Sequence, residues 1–267
     1  MPGGPRISVN GIAALDRPLA DELAMYRRLG VELVGLSVPK LEAHGWDVAL
    51  DEVRASGVGV AYLFMPLTCH PHDGSGWTAQ ARRLAAALDG AAALGAATVY
   101  VTSGPSGELS WEEAAESLAE RLAPAIGHAA RLGVALAVEN TMSLRSDLSF
   151  THSLRDAAAL ARLLDIGLCV DLYCCWQERG LVDTLRVELD RVRLVQVSDV
   201  RLGTRSVPNR WVPGDGDIPL ERLLRDLAGL GYRGLWDLEL VGPPIEAEGA
   251  PRALARGVEW LAARVGR

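Results

Sequence analysis

Eight times along the chain, a short apolar run rich in β-branched residues gives way to a segment whose apolar positions recur three and four apart. The runs lie at Ile7–Ile12, Glu32–Ser37, Gly59–Met65, Thr98–Thr102, Ala135–Asn140, Leu168–Leu172, Leu194–Ser198 and Leu235–Val241. Between them, spacings such as Leu118, Leu122, Ile126, Ala129 and Leu132 predict that each strand is followed by an amphipathic helix. Boundary residues agree. Ser110 and Glu113 have the spacing of a capping box, and Asp217 ahead of Pro219 is placed to cap the helix after the seventh strand. Gly30, Gly95 and Gly133 stand where helices must stop before strands.

Strict alternation of strand and helix implies parallel strands with right-handed crossovers, which leaves a doubly wound sheet or a closed barrel. No Gly-x-Gly-x-x-Gly follows the first run, and no segment has linker composition. The 267 residues divide into units of about 33, the size of a barrel repeat. The expectation is an α/β chain forming a single (β/α)8 TIM barrel, one domain over residues 1–267.

Charge narrows the partners. With 27 Lys and Arg against 34 Asp and Glu, the net charge is −7, the wrong sign for a protein that neutralises phosphate backbones. The stretch Met1-Pro-Gly-Gly-Pro-Arg6 lacks a basic segment followed by an apolar one, so no signal peptide is expected. Leu84 to Val101, the longest weakly polar stretch, is broken by Asp89 and several glycines and does not read as a membrane span. Cys69, Cys169, Cys174 and Cys175 form no C-x-x-C pair, which suits a reducing cytoplasm. The adjacent Cys174 and Cys175 read as small, semi-buried residues rather than a reactive thiol.

The anomaly is where the polar groups fall within the strands. Glu139, Asp171, Gln196 and Glu239 each stand late in an apolar run, beside Val138, Val170 and Leu172, Val195 and Val197, or Leu238 and Leu240. Period-two alternation turns those apolar neighbours toward the helices and the polar groups inward at the C-terminal mouth, where barrel enzymes carry their chemistry. A carboxylate there is costly unless compensated. Three of them with a carboxamide either raise one another's pKa or bind a cation. Oxygen ligation favours Mn²⁺ or Mg²⁺ over Zn²⁺, with Co²⁺ as a substitute. The plainer alternative is four unrelated polar residues that bond to loop amides at strand ends.

These residues carry a resemblance. Val138-Glu139-Asn140, Cys169-Val170-Asp171-Leu172-Tyr173, Val195 to Asp199, Val212-Pro-Gly-Asp-Gly-Asp-Ile-Pro219 and Asp237-Leu-Glu-Leu-Val-Gly-Pro243 resemble the sugar phosphate isomerase/epimerase family. Those are the xylose isomerase-like barrels, also described as AP endonuclease family 2, and the resemblance spans about the whole chain. It implies a metal held by Glu, Asp, His and Glu on strands five to eight, with both Glu as acid and base. By position these are Glu139, Asp171, Gln196 and Glu239. Two departures stand out: Gln196 replaces the family's usual His, and Cys174 replaces the His often found three residues after the Asp. An amide oxygen is a weaker donor than imidazole, so metal affinity or identity does not transfer. Losing the second His removes a common substrate contact, so neither does a sugar specificity.

The resemblance implies a divalent-metal-dependent isomerase or epimerase acting on a ketose, keto-sugar or related polyol. Proton abstraction next to the carbonyl would pass through a metal-bound enediolate, with Glu139 and Glu239 as acid and base and Mn²⁺ the first choice of ion. One alternative is a metal-dependent lyase acting on a keto-inositol or 3-keto-sugar. Another is a non-catalytic sugar-binding barrel, suggested by Gln196 and Cys174 and opposed by the two surviving glutamates. The endonuclease branch builds its zinc cluster from many His, and this chain has five. Expected substrate contacts are His70 and His72 beyond the third strand, Cys174, the stacking rings Trp176 and Trp211, and Arg201, Arg205 or Arg210 for a phosphate or carboxylate. The Gly214-Asp-Gly-Asp217 turn carries two acids and reads as a lead into a helix rather than a phosphate cradle. The implied partner is a small carbohydrate or polyol, with no nucleic acid and no membrane, and with a homo-oligomer as an option because family members often associate.

Overall fold

A computed structural model describes residues 6–266; Met1–Pro5, the stretch read for a leader, and Arg267 lie outside the described residues. Eight parallel strands follow one another in chain order and close into a barrel with helices interleaved, as the alternation predicts. They are β1 (Arg6–Asn10), β2 (Leu33–Ser37), β3 (Gly59–Met65), β4 (Thr98–Val101), β5 (Ala135–Glu139), β6 (Gly167–Asp171), β7 (Val192–Val197) and β8 (Leu235–Leu238).

Internal contacts group the chain into two compact units, Met1–Ala61 with Leu194–Arg267, and Tyr62–Arg193. In the first, β1 pairs with β2 on one side and β8 on the other, and β8 pairs with β7. Ser8 and Gln196 are both Cα partners of Asp237, so one polar level runs across three adjacent strands. Apolar residues fill the rest: Val9, Val34, Val195, Val197 and Leu238 have no exposed surface. Helix Ala250–Val265 presses Gly257 onto β8, where a Cβ would lie 2.6 Å from a methyl of Leu238. Burial of each such Leu or Val contributes about 1.5–3 kcal/mol.

In the second unit β3 to β6 pair in sequence. Helix Trp111–Leu132 opens on the expected capping box: the Glu113 N–H donates to Ser110 Oγ and the Ser110 N–H donates to Glu113 Oε2. Those Ser110 hydrogen bonds hold the Glu113 carboxyl below its usual range. The helix ends at Gly133 in the left-handed conformation, φ 67°, which a Cβ disfavours.

One boundary reading needs correction. Helix Leu220–Gly229 starts from Pro219 with no side-chain cap, and Asp217 instead accepts the N–H of Leu202 at 2.8 Å. Two residues ahead of the cap position, its carboxylate serves the preceding loop. Among the described residues no helix is long and apolar enough to cross a membrane.

Candidate metal centre

The second unit supplies two acids from neighbouring strand ends. Glu139 closes β5 and Asp171 closes β6, both buried. Asn140, with no exposed surface, clips the strands together: its Nδ2 donates to the Asp171 carbonyl at 3.1 Å, and its Oδ1 accepts the Asp171 N–H at 2.9 Å. The Glu139 carbonyl accepts from Thr151 Oγ1 at 3.1 Å, the end of a buried hydroxyl chain through Ser149 and Ser103 with links of 2.8 Å. Asp171 itself is tied twice. Oδ1 accepts the Tyr173 N–H at 3.0 Å, capping the short helix Leu172–Cys175, and Oδ2 accepts from the Cys174 thiol at 2.8 Å. Burial, then the charges of Glu178 and Asp171, push the neighbouring Cys175 thiol well up, which keeps it protonated and unreactive.

The first unit supplies the third acid. Glu239, just past β8, is buried with Arg210, whose Nη2 lies 3.4 Å from Glu239 Oε1 while Nη1 donates to Ser198 Oγ at 2.9 Å. A loop arginine is ordinarily solvated. This one is 7% exposed, and its backbone N–H is held by the Val241 carbonyl at 3.0 Å. Asp237, two residues before Glu239 and fully buried, accepts from Ser8 Oγ at 2.5 Å and Asn10 Nδ2 at 3.4 Å. Gln196 is fully buried opposite Asp237 on β7.

Glu139, Asp171 and Glu239 each offer a carboxylate oxygen, and these oxygens lie within 4.8 Å of one another. Three buried acids that close repel strongly unless protons or a cation compensate them, and the all-oxygen donor set fits a hard or borderline divalent ion.

The other expected contacts have these surroundings. The half-buried His70 ring lies against Gly107, 3.5 Å from where a Cβ would stand there. His72 is exposed, its Nε2 3.1 Å from Ser117 Oγ on helix Trp111–Leu132. Trp176 is half-buried just after the short helix that follows Asp171. Arg201 is exposed, stacks 3.8 Å over the Trp211 ring and donates to the Asp215 carbonyl, and Arg205 is exposed. Asn140, Ser198 and Asp237 stood inside the motifs without a role. For Asp237 the signal was available, since spacing of two from Glu239 puts both on one face.

The profile of the xylose isomerase-like TIM barrel family matches residues 23–264. Protein SMc04130 from Sinorhizobium meliloti 1021 superposes with a TM-score of 0.86 at 21% identity, over 98% of each chain. The IOLI protein, in a structure with a bound zinc atom, gives 0.81 at 17% identity over 97% of this chain and 98% of that one. D-psicose 3-epimerase from Clostridium cellulolyticum H10 gives 0.78 at 12% identity over 98% and 100%. A 3-keto-D-glucoside 4-epimerase from E. coli and a probable 3-DHS dehydratase from Bacillus anthracis also align over nearly the whole chain. At these identities the likeness is one of fold. No curated protein matches the chain in sequence.

Proposed function

The chain belongs to the xylose isomerase-like TIM barrel family, and from that premise we propose that it is a divalent-metal-dependent isomerase or epimerase of a ketose, keto-sugar or related polyol. The buried trio Glu139, Asp171 and Glu239 carries the reading. A purely structural or sugar-binding barrel has no use for three burying acids at one point, and the similar folds include two sugar epimerases.

Glu139, Asp171 and Glu239, with the Gln196 amide oxygen as a neutral fourth donor, are the residues that would hold the ion. When bound, it would polarise the substrate carbonyl and stabilise charge developing on that oxygen. We take Mn²⁺ as the ion, with Mg²⁺ or Co²⁺ substituting; zinc joins the test because the IOLI structure holds it. Of the two glutamates, one removes the proton beside the carbonyl and the other returns a proton to the neighbouring carbon or the opposite face. Arg210 orients Glu239 through their 3.4 Å contact and presents positive charge to a substrate oxygen. Asn140 and Cys174 hold Asp171 in one orientation, the usual task of groups behind a metal ligand. His70, His72 and Trp176 remain candidates for substrate hydroxyls and ring, and Arg201, stacked on Trp211, for an anionic substrate group. We further take the chain as one domain working in the cytoplasm.

A lyase shares the first proton abstraction, and the fold shared with a probable dehydratase supports keeping it as the second reading. The purified protein should bind about one Mn²⁺ per chain through oxygen ligands. Glu239→Gln should cost about 10²–10⁴-fold in turnover, the range for loss of a general acid or base. Solvent deuterium entering a keto-sugar without loss of water marks the isomerase or epimerase; an unsaturated product marks the lyase. A protein that binds no divalent ion at millimolar concentration ends the metal-dependent reading.

A further inference from the structure

β7 runs out into Ser198-Asp199, and Asp199 is a carboxylate with 1% exposure and no ion-pair partner among the described residues. Its compensation is entirely backbone. Oδ2 accepts the N–H groups of Gly214 at 3.0 Å and Gly216 at 3.1 Å, and Oδ1 accepts those of Ile218 at 3.0 Å and Val200 at 2.9 Å. Amides of the alternate residues Gly214, Gly216 and Ile218, with that of Val200, converge on one carboxylate and so make an anion-binding nest. The two acids that argue from sequence against an anion here face away from it: Asp215 pairs with Arg256 at 2.6 Å, and Asp217 takes the Leu202 amide. The loop is thus an anion cradle whose anion is the chain's own. Approach is so close that a Cβ on Gly216 would sit 2.4 Å from Asp199 Oδ1 and from the Val200 carbonyl.

The same dipeptide also fixes Arg210. Asp199 and Trp211 exchange backbone hydrogen bonds of 2.9 Å in both directions, Arg210 directly precedes Trp211, and Ser198 Oγ accepts from the Arg210 guanidinium. We propose that Asp199 is the positioning residue of the site: by filling the nest of loop 212–218 it holds that loop, and so holds Arg210 against Glu239. The consequence for substrate rests on the isomerase or epimerase reading; the nest itself does not. Asparagine is a poor substitute, because its single acceptor oxygen serves only part of the nest and its NH₂ group faces the remaining N–H donors. Alanine leaves four donors around a vacancy of carboxylate size, which formate fits.

The test uses the full chain loaded with Mn²⁺. In Asp199→Ala, hydrogen exchange at Gly214, Gly216 and Ile218 should accelerate at least about tenfold, as expected for buried donors that lose their acceptor. Formate at tens of millimolar should slow it again, and chloride at equal ionic strength should not. With a substrate in hand, the variant should show KM raised about tenfold, lowered again by formate. If Asp199→Ala does not fold, Asp199→Asn should show intermediate exchange confined to the same amides. Exchange as in the wild type, acceleration spread across the strands, or formate acting no better than chloride would each overturn the nest. Formate-reversed exchange with an unchanged KM would overturn the positioning of Arg210. Because exchange needs no turnover, a failed sugar assay with formate-reversed exchange would count against the proposed reaction and leave the nest standing.

Discussion

Replacing Asn140 by Ala tests the clip between β5 and β6. The change strips partners from the Asp171 N–H and C=O, which Asn140 binds at 2.9 and 3.1 Å in a place with no solvent exposure. Each buried backbone group left unsatisfied costs about 1–3 kcal/mol, and a water entering the vacated space recovers part, so the net loss should be about 2–4 kcal/mol. Urea midpoints of the metal-free protein, at unchanged m, would measure it. A second effect separates the clip from ordinary packing. Asp171 loses the fixed backbone from which it reaches the ion, and groups behind a metal ligand are typically worth about tenfold or more in affinity. At a fixed excess of Mn²⁺, a tenfold weaker site lowers the metal-induced gain in stability by about 1.4 kcal/mol. Asn140→Asp should be no milder, since its second oxygen faces the Asp171 carbonyl. Should Asn140→Ala stay within about 0.5 kcal/mol of the wild type and keep its Mn²⁺ affinity, the clip carries no energy and the reasoning fails.

Two further outcomes follow from single contacts. Cys174→Ala removes the thiol donor on Asp171 and should weaken Mn²⁺ binding about tenfold, while Cys174→Ser, which keeps a donor, should hold within about threefold; equal affinities in calorimetry would contradict this. Glu22 on helix Leu19–Arg28 is buried against Tyr26 of the same helix and pairs with Lys40 of helix Val38–His44, and burial raises its carboxyl above the usual range despite the Lys40 charge. A raised folded value means the native state binds the proton more tightly. The stability Glu22 contributes is therefore complete below about pH 4.5 and is lost as pH rises through the folded value. Wild type should thus lose urea resistance relative to Glu22→Gln as pH rises above about 4.5, and a constant difference would refute the assignment.

The three acids were legible because an acid inside an alternating apolar strand breaks a period that sequence displays. Arg210 and Asp199 gave no such signal: the burial of each depends on groups far along the chain, Glu239 for one and Gly214 to Ile218 for the other. Strand ends erred for local reasons. β1 was expected to reach Ile12, but the Asn10 side chain accepts the Ile12 N–H and starts a 3-10 turn. β8 was expected to reach Val241, whose carbonyl instead takes the Arg210 amide. β7 begins at Val192, earlier than expected, because the exposed Arg193 masks the run.

One unit, Tyr62–Arg193, is a continuous piece of chain, while the other is made from both ends. The bond from Ser8 to Asp237 joins residues 229 positions apart. On a ribosome the strands of the continuous piece are all made before β8 exists. β1 and β2 emerge before these strands, yet β1 cannot bond to β8 until Leu235–Leu238 has been made. Val9, Val34 and Leu36, buried at the end, are then the apolar surface left waiting longest, and the entropy of that late closure falls on the last step. A truncation just before Leu235 would leave the earliest strand without one of its neighbours, exposing an edge where a second chain can pair.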